Sequence, residues 1–388
     1  MSSSIQAVFY GDPDQYPPII NGSRLLAEAG FELDIFCRWN ARRWNVSYPA
    51  AVRIHRIKTE TGSTWREYLS FVRKVVQSGD SGAAVFIGHD MHGLLPARLL
   101  GGRYRRPVIY HCHDFSEKDR KIPAGSELVR LFERRFASGV DLVVVPDAER
   151  GAVIEEELGL KQSPLVVANA PMRRAAKRTG ALHAALMRHG KTFSRVLFRQ
   201  GRIGPGHAIE STLQSILDWD NPEWGFVLMG PGEQAYVQTL WTTAKSLGVE
   251  RQFVVLPPVG YDEVAQFTGG ADCGHGLYQP VTLNHRFYTT ASNKIMEYMA
   301  EGLPLLLSDT PSLKALVNRH ECGLTANEES PKSIAAAVNT LLGDQEKSRQ
   351  MGTAARRAFE LEFSYEQQFA PVIESIKKLA NHKPETGP

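Results

Sequence analysis

The sequence is short of several features that would declare a chemistry at once. Its four cysteines, Cys37, Cys112, Cys273 and Cys322, stand far apart and form no CxxC pair. That spacing suggests neither a zinc site nor a disulfide framework, and reduced thiols are the simple reading. No apolar run approaches the roughly 20 residues that span a bilayer. The opening MSSSIQAVFYGD lacks the basic and long apolar stretches of a secretory signal, so a cytoplasmic protein is the expectation. A formal charge of only +3 over 388 residues gives no global argument for nucleic acid as a partner. Between the first strand-like and helix-like stretches there is no GxGxxG loop, and DPDQYPPIINGS stands there instead. That argues against an ordinary NAD-binding site in the first half.

What is present is the composition of a globular protein, 43% hydrophobic and 22% charged, long enough for two to three domains. Apolar runs alternate with amphipathic stretches. Strands are expected at Ile5–Tyr10, Phe31–Cys37, Val52–Ile57, Ala83–Gly88, Pro107–Tyr110, Leu142–Val145 and Pro164–Ala168. Helices are expected at Asn21–Gly30, Thr64–Gln77 and Ser126–Ser138. That order implies a parallel sheet. Residues 172–194 are basic and Ala-rich and read as a partly helical connection. A second strand–helix series then starts at Arg195. Four segments follow: 1–171, a linker 172–194, 195–362, and 363–388. The last is a helix, whose packing back on the first half is one option, with a tail. Ligands of open parallel sheets bind beyond the carboxyl ends of the strands, so the polar residues there are the site candidates.

The most informative stretch is SNKIMEYMAEGLPLLLSD, from Ser292 to Asp309. Ser292 or Asn293 can cap a helix whose apolar face is Ile295, Met296, Met299 and Ala300. Gly302 and Pro304 stop it, and Leu305–Leu307 reads as a buried strand. Lys294 in the first turn and Glu297 three residues on suit a phosphate and a sugar diol respectively. On this stretch alone, a solvated Lys/Glu pair is the plainer reading.

The stretch resembles the donor-nucleotide helix of family-4-like glycosyltransferases of the two-Rossmann GT-B architecture. The resemblance implies two doubly wound parallel-sheet α/β domains facing across a cleft. The second domain would bind a nucleotide-diphosphate sugar, with UDP or GDP as carrier, and the first an acceptor (a glycan, a lipid-linked molecule or a small molecule). It also implies that Glu297 binds the ribose. Many relatives carry a second Glu eight residues earlier, facing the donor sugar. Here that position is Thr289, so no enzymatic carboxylate nucleophile is offered there. Retention of anomeric configuration follows from the resemblance alone. The nucleotide sugar is a co-substrate, and no further cofactor is implied.

Three clusters join this helix. His89, Asp90, His111, His113 and Asp114 end two strands on one sheet edge. The resemblance puts a histidine there against the donor sugar. His113 matches best and His111 is the alternative, with Asp114 beside them, while His89 reads as an ordinary capped side chain. A metal reading of these imidazoles stands against two facts of the resemblance: GT-B enzymes need no metal, and no DxD dyad occurs in a suitable place. The second cluster is Arg199, Gly201, Arg202, Gly204, Gly206, His207 and Glu210. Arg202 is its diphosphate ligand, and His207 takes the place of a basic residue in relatives. A structural salt bridge is the plainer reading of Arg199. The third cluster, Gly230, Gly232, Glu233, Pro258, Val259 and Gly260, would surround the base.

The catalytic set is therefore His113, Asp114, Arg202 and Lys294. The nucleotide-sugar set is Gly201, Arg202, His207, Gly230, Gly232, Val259, Thr289, Ser292, Asn293, Lys294 and Glu297. No metal ligand is assigned. Two other readings stay open: a sugar-nucleotide epimerase or hydrolase, and a catalytically silent nucleotide-sugar-binding partner. Peripheral membrane contact through the first half is a further option. Leu128, Leu131, Phe132 and Phe136 alternate with Arg130, Arg134 and Arg135, and Arg103, Arg105, Arg106, Arg173, Arg174, Lys177 and Arg178 add charge. An apolar face packed on the sheet with a solvated basic rim is the plainer alternative.

Overall fold

A computed structural model describes residues 3–41, 44, 46–59, 64–115, 124–176 and 178–381. The chain forms two units. The first is the chain up to Asn169 together with the segment from Tyr365, and the second is Ala170–Ser364.

The first unit holds β1 (Ser4–Phe9), β2 (Glu32–Arg38), β3 (Val52–Ile57), β4 (Ala83–His89), β5 (Val108–His111), β6 (Leu142–Val145) and β7 (Leu165–Val166). They pair in parallel in the order β3-β2-β1-β4-β5-β6-β7. β1, β2 and β4 are buried along nearly their whole length, as strands covered on both faces must be. The first helix begins at Pro17, not Asn21. Both prolines sit in its first turn, where a missing N–H costs no intrahelical bond. Two helices of this unit, Asp90–Tyr104 and Ala148–Leu158, carry no expectation from the sequence. The first runs straight on from β4. A Cβ on its Gly93 would stand 2.3 Å from the Val8 carbonyl oxygen, so glycine is what lets helix and strand approach. The last helix, Tyr365–Asn381, belongs to this unit, and Tyr365 donates its hydroxyl to the Pro18 carbonyl at 3.0 Å.

The helix expected at Ser126–Ser138 runs Ala124–Phe136. Leu128 and Leu131 are exposed on it. Arg130 and Arg134, however, are engaged by Glu127 and Glu157 in ion pairs. Arg173, Arg174 and Arg178 lie in the second unit, bonded to Glu360, Glu301 and the Ala271 carbonyl. Lys177 and residues 116–123 lie outside the described residues. No helix among the described residues is long and apolar enough to cross a membrane.

The second unit holds β8 (Arg195–Gln200), β9 (Trp224–Met229), β10 (Phe253–Leu256), β11 (Cys273–Gly276), β12 (Leu305–Ser308) and β13 (Gly323–Ala326). All pair in parallel, in the order β10-β9-β8-β11-β12-β13. Leu197, Phe226, Leu228, Phe253 and Leu306 form its core with Ile334, Val338 and Leu341. Residues 172–194, expected as a connection, pack into this unit. The helix Ala181–Arg188 buries Leu182 and Leu186.

Candidate functional site

In the second unit the polar groups gather at the carboxyl ends of β8, β9, β11 and β12, beside the start of the helix Asn293–Ala300. Gly201 follows β8 with φ +93, and a Cβ there would meet Lys294 Cε at 3.6 Å. Gly230 follows β9 with φ +153. Its own Cβ would stand 2.0 Å from the Gly201 carbonyl oxygen, so these two loops close on each other only through glycine. Gly232 bridges to Ile203 on the same rim.

Two cations stand here. Arg199 is fully buried, and its Nη1 lies 3.1 Å from His275 Nδ1 and 3.2 Å from the Leu277 carbonyl. Its Nε and Nη2 have no partner, and no carboxylate pairs with it among the described residues. In place of the expected structural salt bridge stands a buried guanidinium with no carboxylate partner among the described residues. Such a group is costly unless an anion meets it. Lys294 donates to the Tyr278 hydroxyl, and burial pulls its ammonium below the usual lysine range.

Ser292 stands at the N-cap position of the helix but makes no capping bond. Its Oγ, Asn293 Oδ1 and Thr289 Oγ1 are all buried without a partner. The cap expected from the sequence is thus unmade, and three polar oxygens face inward at the helix start. Glu297, one turn on, is buried and accepts from Gln200 Nε2, while Gln200 Oε1 accepts from Thr268. Burial pushes the Glu297 carboxyl up to about 7, against the pull of Arg174 and Gln200. His207 is also buried, with its Nδ1 unpaired, and burial together with Arg199 and Lys294 keeps its imidazole neutral. Of the two forms weighed for it, burial and the neighbouring cations favour the neutral one. Arg202 is exposed, and Val259 lies half-buried in the loop after β10.

In the first unit the register pairs His89 with His111 at the ends of β4 and β5. His89 is not an ordinary capped side chain. Its Nδ1 lies 3.0 Å from His113 Nε2, with the two rings stacked, and the His111 ring centre is 4.0 Å from that of His113. All three are buried, which lowers their basicity, that of His89 to about 3. Their ligand nitrogens lie within 4.8 Å of one another, so the set could hold a metal ion. Asp90 holds the loop in place, its Oδ1 accepting from the backbone N–H of His113 at 2.8 Å and of Asp114 at 3.1 Å. Burial, with Asp114 nearby, raises Asp90 to about 8. Buried Arg150 donates to the His113 carbonyl at 3.0 Å, and the Tyr16 hydroxyl to Asp114 at 3.4 Å. Asp114 itself is exposed.

Residues 23–171 match the sequence family described as "Glycosyl transferase 4-like domain", and residues 194–358 match "Glycosyl transferases group 1". The chain belongs to the family-4-like, group 1 glycosyltransferases. Among curated relatives, a D-inositol 3-phosphate glycosyltransferase of Corynebacterium glutamicum is 25% identical over 273 residues, 66% of this chain and 63% of the relative. One of the same description from Nocardia farcinica is 23% identical over 66% of this chain and 58% of the relative. The matches thus span about three fifths of those relatives' length. The fold is that of the GT-B glycosyltransferases. A sucrose-phosphate synthase of Thermosynechococcus elongatus superposes with TM-score 0.74 at 15% identity, covering 97% of this chain and 99% of the other. Anabaena HepE, solved with UDP and glucose, superposes with TM-score 0.73 at 16% identity, covering 97% and 100%.

Within this glycosyltransferase fold the expected residues fall into two groups. His113 and Asp114 lie in the first unit, while Arg202, Lys294 and the nucleotide set lie in the second. Gly201, Gly230, Thr289, Ser292, Asn293, Lys294 and Glu297 come together at one sheet edge. Sequence reading passed over Gln200, Thr268, His275 and Tyr278 in the second unit, and Tyr16 and Arg150 in the first. Gln200 ends β8 and Tyr278 lies two residues beyond β11, and that placement at strand ends was the available signal. A cavity of about 470 Å3 opens elsewhere, beside Arg195 and Pro304 at the amino ends of β8 and β12. Its Arg195 and Arg356 are already bonded to Asp272 and Glu360, and it is remote from these groups.

Proposed function

We propose that the protein transfers a sugar from a nucleotide-diphosphate sugar to an acceptor, with the nucleotide bound by the second unit. The observation that carries this is buried Arg199, unpaired at two nitrogens, next to Lys294 and to three unpaired oxygens at a helix start. Two cations and a helix N-terminus suit a diphosphate, and Gln200 and Glu297 suit a ribose diol. UDP is the first carrier to test, because the HepE structures hold it. As the anomeric C–O bond breaks, its electron pair goes to the diphosphate. Arg199, Arg202 and Lys294 stabilise that charge, an electrostatic contribution that is usually the largest in such a step. Thr289 stands where an enzymatic carboxylate would be, and family membership favours retention of configuration. The first unit supplies the acceptor side, with His113 and Asp114 at the carboxyl edge of its sheet.

The test is incubation with UDP- and GDP-sugars, with and without acceptor extract, reading nucleotide release. Release that depends on acceptor is the expected result. Release of free sugar without acceptor would instead make the protein a hydrolase. Nucleotide-sugar binding with no turnover under any condition would make it a silent binding partner.

A further inference from the structure

Tyr278 lies just beyond β11, fixed through its backbone. Its N–H donates to Ser308 Oγ at 2.9 Å, and its carbonyl accepts from the same hydroxyl at 3.0 Å. Both buried cations lie close to its ring, with the Arg199 guanidinium carbon 4.9 Å and Lys294 Nζ 4.6 Å from the ring centre. Lys294 also donates to its hydroxyl oxygen. The other titratable rings facing it are Tyr288 at 4.5 Å, His207 at 5.0 Å and His285 at 5.1 Å. Glu297, on the same helix as Lys294, is bonded to Gln200. The phenol oxygen is therefore the acidic group that Lys294 meets directly.

We propose that Tyr278 is a positioning residue that holds Lys294 and Arg199 in place for the diphosphate and hands both cations over when nucleotide binds. This rests on the nucleotide-sugar reading above. A lysine and an arginine converging on one ring would repel each other and drift apart without a common acceptor. The ring attracts the guanidinium, and the hydroxyl oxygen fixes the ammonium. The diphosphate is the stronger acceptor and takes them over.

The exchange has a proton signature. Burial alone would raise the Tyr278 hydroxyl, but Lys294 and Arg199 outweigh it and bring it down to about 8. Once the diphosphate neutralises those cations, burial dominates and the hydroxyl titrates higher. A fraction of Tyr278 that was phenolate must then take up a proton. Binding therefore weakens as pH rises through about 8, by at most about tenfold per pH unit for one proton. Lys294, lowered by burial, would give a dependence of the same sign, so the variant must separate the two.

Three measurements test this on the full chain. Without nucleotide, near-ultraviolet titration of the wild type should show one phenolate appearing near pH 8, below the other tyrosines, and absent from Tyr278→Phe. Calorimetry with UDP near that pH, in buffers of different ionisation heat, should show uptake of a fraction of a proton up to one. The UDP affinity of folded Tyr278→Phe should lose the fall above about pH 8 and keep only the climb near pH 7 that ionisation of Glu297 and of the nucleotide's own phosphate gives. It should exceed the wild type's at the upper end. The inference falls if no early phenolate is seen, or if UDP binds without proton uptake. It also falls if Tyr278→Phe keeps or steepens the fall in affinity above about pH 8, which would assign the proton to Lys294. If the early phenolate is present but neither UDP nor GDP binds, the nucleotide reading has failed, and the hand-over with it.

Discussion

Glu297 and Arg202 are where single side chains decide the nucleotide reading. Glu297 was legible from the sequence because its motif names it. Its bond to Gln200 was not, because that partner is 97 positions away. Glu297→Ala and Arg202→Ala are each expected to weaken UDP binding about tenfold or more, since a hydrogen bond to a charged group is worth about 1.5–3 kcal/mol. Calorimetry on both folded variants checks this, and unchanged affinity in both would remove the site. Glu297 adds a pH arm. Its carboxyl is raised to about 7, and only the ionised form accepts from a ribose diol with both oxygens. Affinity should therefore climb as pH rises through about 7 in the wild type. Glu297→Gln should retain only the climb that comes from ionisation of the nucleotide's own phosphate. Arg199 shows the opposite case. The sequence offered a salt bridge, and the fold gives it a neutral histidine and a carbonyl, a distinction that only long-range pairing makes.

Elements were legible where their period was clean. Thr64–Gln77 and Val52–Ile57 have the bounds that their apolar patterns imply. The helix Asp90–Tyr104 was hidden because it starts without a gap after β4 and carries Pro96 and three glycines. Those residues read as breakers, yet Gly93 is a packing requirement. Ala148–Leu158 was missed although its signals were present, an Asp147 cap accepting from Glu149 and Arg150 N–H groups and a left-handed Gly159 at its end. Gly93→Ala tests the packing argument. A methyl 2.3 Å from the Val8 carbonyl oxygen must push the helix off β1, at a cost of about 1–3 kcal/mol. Urea unfolding should show a lowered midpoint with unchanged slope. Gly102→Ala, on the same helix with open space around its Cβ position, should stay within about 0.5 kcal/mol of the wild type or gain stability from helix propensity. Equal effects from the two substitutions would mean that the close approach carries no weight.

At the scale of the whole molecule, the question is whether transfer needs a metal. The two sheets and the two-domain plan were readable from the repeated strand–helix order. The clustering of His89, His111 and His113 was only half readable. Two-residue spacing brings His111 and His113 together in the sequence, although His113 stands just past the end of β5, while His89 joins them through the β4–β5 register. That trio is a set of buried, neutral imidazoles, the form that binds metal, so its chemistry permits an ion. The proposed reaction nonetheless draws its charge stabilisation from elsewhere. Arg199, Arg202, Lys294 and the helix start at Ser292 all lie in the second unit and can take the role a divalent cation would play on a diphosphate. Turnover is therefore expected to survive EDTA, and His89→Gln should not change that insensitivity. The check is acceptor-dependent nucleotide release before and after chelation, with metal content measured on the same samples. Loss of turnover on chelation, restored by Mg²⁺ or Mn²⁺, would move the missing charge onto an ion at the diphosphate. Loss restored by Zn²⁺ alone, and abolished by His89→Gln, would place the ion at the histidine trio and make the first unit a metal centre.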